Sequence, residues 1–435
     1  MKKIQTLRQA VLAFAVLSFS GFGMACYEPT TDIEIEYDDT LPSGPKLWNS
    51  DGVYFQRLGE NYAVVHDSSS IYGGTSTVSG HLEIPGTFDG RPVVAIWNFA
   101  FRHFLRPSKI ISVTIPNSVT YIGDYAFNGN ALTSVIIPDS VTSIEERAFY
   151  SNKLSSAIIH DRVTSIGDWA FYDNSLTSVT IPESVTSIGY AAFSNNSLTS
   201  ITIPESVTSI GRHAFQQNKL ATVTIPNNIT IIENNVFSNN NLTDVSIPDS
   251  VTRIGSFAFA SNKLNTIDIG NSVTSIWGAA FYDNNLTTVT IPDSLTDISG
   301  SVFADNPNLE SIHVSEGNQT YTSEDGVLYN KEMTTLVAFP EGKSPVSIPA
   351  GITRIGYGAF MSNSLTAIII PDSVSSIEPI AFLECNLTSI TIPEGVTIES
   401  GSSMGMYGGT FQTLYNNNGR QAGTYIFAEG KWTRH

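Results

Sequence analysis

The chain repeats a pattern of short apolar runs separated by hydroxyl-bearing residues, with a period of 22 positions. In the unit spanning residues 176–197, apolar residues occupy every second or third position, and Thr and Ser fill the positions between them. This spacing is typical of β-strands. Pro182 ends the first of two runs in the unit, because proline has no N–H to donate to a strand ladder. The Ala-Phe pair at 192–193 then leaves space only for a short 3₁₀ or helical turn.

The period continues through most of the chain. A phenylalanine recurs every 22 residues from Phe127 to Phe303, and the column resumes at Phe360 and Phe382. About seven inward side chains per unit contribute at most about 14 kcal/mol on burial. Ordering the 22 residues of a unit costs more, since each backbone residue costs about 1–2 kcal/mol. A unit therefore cannot fold alone, and the repeats must stack into one cooperative solenoid.

An asparagine lies three positions after each phenylalanine. An amide offers two donors and an acceptor, so a buried column of amides can satisfy backbone groups of adjacent coils. We interpret the column as a structural ladder; a ladder of ligand-binding amides is the alternative. Cys385 takes the asparagine position in one coil, where we expect a small buried substitute and not a nucleophile. The predicted ladder comprises Asn130, Asn152, Asn174, Asn196, Asn218, Asn240, Asn262 and Asn284, and the column continues at Asn306 and Asn363.

The unit Leu-x-x-Val-x-Ile-Pro-x-x-Val-x-x-Ile-Gly-x-x-Ala-Phe-x-x-Asn resembles the BspA-like leucine-rich repeat family of bacterial surface proteins, over about residues 51–400. The family's usual unit is one residue longer. The segment 84–93 is similar to the family's first coil, and 321–331 is similar to its hairpin insertion, with Asp325-Gly326 as the tight turn. The resemblance implies a leucine-rich-repeat solenoid that attaches to host, matrix or neighbouring-cell proteins.

The predicted fold is a β-rich leucine-rich-repeat solenoid of about 13 coils of 22 residues, with short 3₁₀ or helical turns and one internal hairpin insertion. The predicted organisation is a signal peptide (1–25), an acidic flexible tether (26–50), an N-terminal capping coil (51–105), the solenoid (106–305), the hairpin insertion (306–347), the continued solenoid (348–400) and a C-terminal hairpin cap (401–435).

The N-terminus has the features of an export signal. Lys2, Lys3 and Arg8 precede an apolar stretch at 10–22, which is shorter than the roughly 20 residues that span a bilayer. The following Gly-Met-Ala-Cys resembles a lipoprotein lipobox, with Gly where leucine is usual, and predicts lipidation of Cys26. Ordinary cleavage with a free Cys26 is the alternative. We expect a lipoprotein of the bacterial surface or outer membrane, in contact with the membrane only through this anchor; a secreted or periplasmic protein is the alternative.

Charge and cysteine content exclude several classes of protein. The 435 residues include 22 Lys and Arg against 40 Asp and Glu, a formal net charge of −18, which argues against nucleic-acid binding. Two cysteines cannot form a disulfide framework or a Cys-based zinc site. The seven histidines fall at unrelated repeat positions, and neither a nucleophile elbow nor a phosphate loop is present. We therefore expect no enzymatic activity, cofactor or metal.

Carboxylates follow the turn prolines in many coils and would stack about 4.8 Å apart. A divalent cation could stabilise such a column. The favoured interpretation is a simple turn preference for Asp, because single carboxylates at one spacing rarely supply the roughly 6–8 oxygens that calcium needs. The column consists of Asp139, Asp161, Glu183, Glu205, Asp249, Asp293, Asp372 and Glu394.

Aromatic residues at variable positions around the Ala-Phe turn are the candidate binding site. Exposed Tyr and Trp are typical interface residues and also stack on sugar rings; a self-supporting aromatic ladder without a ligand is the alternative. The group includes Tyr125, Phe257, Tyr282 and Tyr357, and the ligand-binding candidates are Tyr150, Trp169, Tyr172 and Tyr190.

The predicted function is that of a non-catalytic, adhesin-like surface protein whose partner is an extracellular protein or glycan. A structural envelope or biofilm component without a dedicated ligand is one alternative, and an exported polysaccharide-binding module is another.

Overall fold

The computed structural model of the protein describes residues 46–48, 53–58, 61–67, 78–103, 109–399 and 408–435. They form a β-solenoid of about 14 turns, which confirms the predicted fold class. The predicted signal peptide and Cys26 lie outside the described residues.

The solenoid begins with an antiparallel hairpin that extends its parallel sheet. Part of this hairpin, Lys46–Trp48, falls within the stretch that the sequence assigned to the tether. The next two strands, Val53–Leu58 and Asn61–Asp67, pair with each other, and the second pairs in parallel with Arg91–Ile96. The N-terminal strands are β1 (Lys46–Trp48), β2 (Val53–Leu58), β3 (Asn61–Asp67), β4 (Gly80–Glu83), β5 (Thr87–Phe88) and β6 (Arg91–Ile96).

Each following coil contributes its second apolar run to a parallel sheet. Successive strands pair in register, as Ile166 does with Ile188, because an identical repeat length brings identical positions side by side. The strands of this part are β7 (Ile110–Thr114), β8 (Tyr121–Ile122), β9 (Ser134–Ile136), β10 (Ser143–Ile144), β11 (Ser156–Ile158), β12 (Ser165–Ile166), β13 (Ser187–Ile188), β14 (Ser209–Ile210), β15 (Ile231–Ile232), β16 (Arg253–Ile254), β17 (Ser275–Ile276), β18 (Thr288–Ile291), β19 (Asp297–Ile298) and β20 (Ser311–Val314), with a 3₁₀ helix at Gly300–Phe303.

Between residues 110 and 314, the first apolar run of each coil forms a regular strand only near the two ends of the array, where β9 pairs with β11 and β18 pairs with β20. In the coils between them the backbone bonds are long: Thr177 N donates to Ser155 O at 3.4 Å and Thr199 N to Thr177 O at 3.3 Å. The side chains nevertheless point as predicted, since Leu176 and Ile181 are buried.

The interior is a column of stacked phenylalanine rings. From Phe101 to Phe303, rings of successive coils lie 5.4–5.9 Å apart between centroids and are nearly parallel. Leu, Val and Ile of the two apolar runs pack around them. One continuous core therefore runs through the coils, as expected of a stacked repeat.

The turn that carries each phenylalanine pairs with the next coil although it contains no strand. Its N–H groups alternate in direction: Trp169 N donates to Tyr190 O of the next coil at 2.7 Å, whereas Ala170 N donates to Gly167 O of its own coil at 3.2 Å. The alternation requires left-handed backbone at two non-glycine residues in most coils, such as Trp169 (φ 53°) and Asp173 (φ 56°). Non-glycine residues adopt this conformation rarely, so it cannot be predicted from the residue types.

The insertion joins two parts of the core. The side chains of strand β22 (Val327–Asn330) alternate between them, because Leu328 packs in the first hydrophobic cluster and Val327 and Tyr329 pack in the second. The Tyr321 hydroxyl donates to Thr296 O at 3.2 Å and accepts from Ile298 N at 3.1 Å. It thereby satisfies backbone groups at β19, the last strand of its parallel sheet.

The C-terminal part resumes the repeat and ends with a helix and two antiparallel strands. The helix was not predicted; its Phe411 and Tyr415 are buried and contact Tyr425 of the terminal strands. The elements are β21 (Tyr321–Glu324), β22 (Val327–Asn330), β23 (Thr335–Ala338), β24 (Arg354–Ile355), β25 (Ala367–Ile369), β26 (Ser376–Ile377), β27 (Ser389–Ile392), β28 (Thr397–Ile398), α1 (Gly408–Asn417), β29 (Gly423–Ala428) and β30 (Lys431–Arg434).

Candidate functional site

The asparagine column lies inside the solenoid and links adjacent coils through backbone groups. The Nδ2 of Asn196 donates to Phe171 O of the preceding coil at 2.9 Å and to Phe193 O of its own coil at 3.1 Å. Its Oδ1 accepts from Leu176 N at 3.0 Å. The same contacts to the two phenylalanine carbonyls recur at Asn130, Asn152, Asn174, Asn218, Asn240, Asn262, Asn284 and Asn306.

Cys385 occupies the same internal position. Its side chain is fully buried, and Sγ lies 3.0 Å from Phe360 O, the carbonyl that an asparagine would contact. Burial raises the pKa of the thiol to about 12. The thiol is therefore protonated at neutral pH, and it lacks the thiolate character of a nucleophile.

The four candidate aromatic residues belong to two separate stacks. Tyr150 and Tyr172 stack face to face with centroids 5.0 Å apart and an interplanar angle of 13°. Trp169 instead packs against Tyr190, at 4.5 Å and 54°. All four side chains are half-buried, so each stack exposes part of its rings to solvent.

The stack that contains Trp169 extends further and includes arginine. The Arg147 guanidinium lies over the Trp169 ring at 4.0 Å and over Tyr125 at 5.0 Å. At the other end, Tyr190 packs against His213 at 5.1 Å. Cation–π contacts of this kind hold an arginine in place between two rings. The result is a mixed column of Tyr125, Arg147, Trp169, Tyr190 and His213, which we call the cation–aromatic column.

Burial keeps the hydroxyl groups of Tyr172 and Tyr190 protonated. Burial raises the pKa of Tyr172, and Tyr150, Asp173 and Tyr190 raise it further. Burial also raises the pKa of Tyr190. Because Tyr172 N donates to Trp169 O at 3.1 Å within one turn, the two stacks are neighbours on one surface. The Tyr172 and Tyr190 hydroxyls can therefore donate hydrogen bonds to a ligand across the physiological pH range.

The sequence prediction missed Arg147 and His213 as members of this surface. The spacing could have found them, because Tyr125, Arg147, Trp169 and His213 occupy one repeat position at multiples of 22 residues. Burial lowers the pKa of His213, and Arg212 lowers it further, against a hydrogen bond from its Nδ1 to Gln216 Oε1 at 2.7 Å. His213 therefore ends the column as a neutral ring at neutral pH.

One member of the wider aromatic group was wrongly placed on the surface. Tyr282 is only 7% exposed and packs with Ala260, Ala279 and Ala304, because small residues at the neighbouring positions leave space for its ring. Its hydroxyl lies 3.5 Å from Glu384, across the insertion. Tyr282 therefore joins the two parts of the array and is not available to a ligand.

The acidic column lies on the surface, with every member exposed. Asp139 pairs with His160, whose Nδ1 is 2.8 Å away. Within the described stretches of the chain, no three His, Cys, Asp or Glu side chains are grouped so that they could hold a metal ion. The structure thus gives no support to a cation between these carboxylates.

Comparison with protein families agrees with the repeat geometry. A profile described as "BspA type Leucine rich repeat region (6 copies)" matches residues 95–222, 208–334 and 342–429. These matches cover well over half of the chain. The chain belongs to the BspA-type leucine-rich repeat family. This BspA-type match is to a repeat region and not to an enzyme family, and a comparison with curated protein sequences gives no significant match.

Three solved structures illustrate the similarity. A leucine-rich repeat protein from Bacteroides ovatus is 22% identical, with 81% of this chain and 90% of that chain covered and a TM-score of 0.51, which shows the fold. A leucine rich cell surface protein from Faecalibacterium prausnitzii is 24% identical (83% and 78% covered, TM-score 0.36). A leucine-rich repeat protein from Eubacterium ventriosum is 29% identical over 56% of this chain, and the alignment spans only 55% of that protein (TM-score 0.32).

Among the described residues, no helix combines the length and the apolar character that a bilayer-spanning segment needs.

Proposed function

We propose that this BspA-type protein is a non-catalytic, adhesin-like protein of the bacterial surface, and that its ligand binds to the two aromatic stacks. The observation that carries the proposal is the cation–aromatic column. Most outward positions of the repeat are Ser or Thr, whereas here Trp169 and Tyr190 stand half-exposed beside Tyr150 and Tyr172. The fold does not require these residues, since other coils have Ala191 and Ser194 at equivalent positions.

A protein ligand fits these stacks better than a polysaccharide. A sugar ring packs on the face of an aromatic ring, but here Tyr150 and Tyr172 each cover one face of the other, and the Arg147 guanidinium covers a face of Trp169. Ring edges, phenol hydroxyls and a fixed guanidinium remain, and these are typical contacts of protein interfaces. A purely structural envelope role is the second candidate, because stacking alone would also stabilise the coils.

We expect the double variant Trp169→Ala/Tyr172→Ala to bind an extracellular-matrix or cell-surface protein ligand at least about thirtyfold more weakly, since truncating an interface aromatic typically costs about 2 kcal/mol. The ligand would be found by pull-down with matrix proteins alongside a glycan array. Affinity would then be measured at low and high salt.

The matched control is Tyr357→Ala, which truncates another half-buried aromatic residue far along the array. It should leave binding unchanged. Unchanged affinity in the double variant, with intact folding, would contradict the aromatic site. A steep loss of affinity with salt would assign binding to the acidic column instead.

The anchor is a separate proposal. We expect the exported protein to carry acyl chains on Cys26, so metabolic labelling with palmitate should mark the wild type and not Cys26→Ala. Cys385→Ala serves as the matched control and should label like the wild type, because its thiol is buried. Equal labelling of the wild type and Cys26→Ala, or none in either, would leave ordinary secretion.

A further inference from the structure

A second surface departs from the Ser/Thr background, in a different part of the coil. The outward position at the end of the first apolar run is threonine in many coils, such as Thr180, but isoleucine at Ile136 and Ile158. These two residues lie side by side on paired strands and are 59% and 51% exposed. Ile111, in the preceding coil, is 53% exposed and lies beside Thr133, three positions nearer the start of the run than Ile136. Three of the five large hydrophobic residues exposed in the described chain thus lie on this isoleucine face (Ile111, Ile136, Ile158).

The fold itself does not explain these isoleucines. Their side chains point away from the core, whereas Val135 and Ile137 on either side of Ile136 are buried. In the coil that follows Ile158, the same position is occupied by a threonine, Thr180. Exposed apolar residues grouped on one strand pair mark an interaction surface more often than isolated ones do.

Charges flank the isoleucine face with opposite signs at its two ends. Lys109 and Lys153 stand immediately before the runs and are exposed, giving +2. The turn after the runs carries exposed Asp139, Asp161 and Arg162, a formal −1 with His160 neutral, and Asp139 contacts His160 there at 2.8 Å. The face is therefore positive where the strands begin, apolar in the middle and negative where they end.

We propose that the isoleucine face binds a second copy of this chain. A two-fold axis between two such faces, perpendicular to the strands, makes the strands of the two copies antiparallel. The isoleucines then meet each other, and the lysine end of each copy meets the aspartate end of the other. A surface that is its own electrostatic complement in this way is what an isologous dimer requires, and sheets pack face to face at about 10 Å.

The proposal is independent of the proposed ligand site. The aromatic stacks lie on the Phe-bearing turn, whereas the isoleucine face lies on the first apolar run, so a dimer leaves the stacks free. Pairing two chains would present two ligand sites together and raise avidity for a multivalent surface.

The test is the association state of the purified full chain, measured by sedimentation equilibrium. We expect the wild type to form a dimer, and Ile136→Thr/Ile158→Thr to raise its dissociation constant at least about tenfold, because four buried isoleucines per dimer are lost. Folding should be preserved, since the change restores the residue found in neighbouring coils. Ile369→Thr is the matched control, because Ile369 is 72% exposed but lies outside the isoleucine face. This variant should dimerise with the same dissociation constant as the wild type.

Charge reversal tests the orientation. Lys153→Glu and Asp161→Lys should each weaken the dimer, and the two changes in one chain should restore it, because each copy then again offers opposite charges to the other. A wild type that is monomeric throughout would overturn the proposal and leave the face to a different partner. A dimer that survives the double threonine variant, or a combined charge variant as weak as the single ones, would also overturn it.

Discussion

Phe193→Ala is expected to lower the free energy of unfolding by about 3–5 kcal/mol. The ring is fully buried and stacks between Phe171 and Phe215, with centroids 5.4 and 5.7 Å away. Truncation removes both contacts and leaves a cavity that the backbone cannot close, because the neighbouring coils are held apart by their own rings. Chemical denaturation monitored by circular dichroism measures the loss.

Phe99→Ala provides the matched control, since the same substitution is made at a ring that is 39% exposed. Its contact with Tyr125 at 5.0 Å predicts a loss of about 1 kcal/mol. Phe99 and Phe193 lie in the Phe-bearing turns of two different coils, so the comparison contrasts an exposed ring with a buried one in similar backbone surroundings. An equal decrease in the free energy of unfolding of the two variants would mean that burial in the phenylalanine column adds little to the stability of the core.

Asn284→Leu is expected to destabilise the protein by about 1–3 kcal/mol for each buried backbone group that it leaves unpaired. The leucine side chain is close in size to that of asparagine but has no hydrogen-bond donor or acceptor. Phe259 O and Leu264 N would lose bonds of 3.0 Å each, and Phe281 O one of 3.1 Å. The midpoint of chemical denaturation should fall accordingly.

Asn285→Leu is the control, because Asn285 is the adjacent exposed residue and should tolerate the change. Asn195, the exposed neighbour of Asn196, would be a poorer control since its backbone is left-handed, with φ 56°. Similar midpoints for Asn284→Leu and Asn285→Leu would show that the ladder contributes little to stability.

The sequence was sufficient to predict the solenoid and its interior. A strict period forces equivalent residues of successive coils together, so the register of Ile166 with Ile188 and the stacking of the phenylalanines follow from spacing alone. The chemistry of one residue type then fixes its role: an amide that recurs beside a buried ring has backbone groups of two coils to satisfy, as Asn196 does.

The tertiary structure decided which outward residues meet. Spacing placed Tyr150, Trp169, Tyr172 and Tyr190 in nearby coils, but whether rings stack depends on the backbone direction at each position. The left-handed conformation at Trp169 sends that ring to Tyr190 and Arg147 and away from Tyr172. The period predicts the contact of Trp169 with Arg147, which lies 22 residues earlier, but not the contact with Tyr190, which lies 21 residues later and at a different repeat position.

The contacts across the insertion could not be predicted from the sequence either. Tyr321 reaches Thr296 and Ile298, and Tyr282 reaches Glu384, over separations that follow no period. The repeat determines what every coil needs in order to stack on an identical neighbour. Where the neighbour is different, at the insertion and at the ends, packing is settled by the particular side chains that fill the space, and only the folded structure shows which they are.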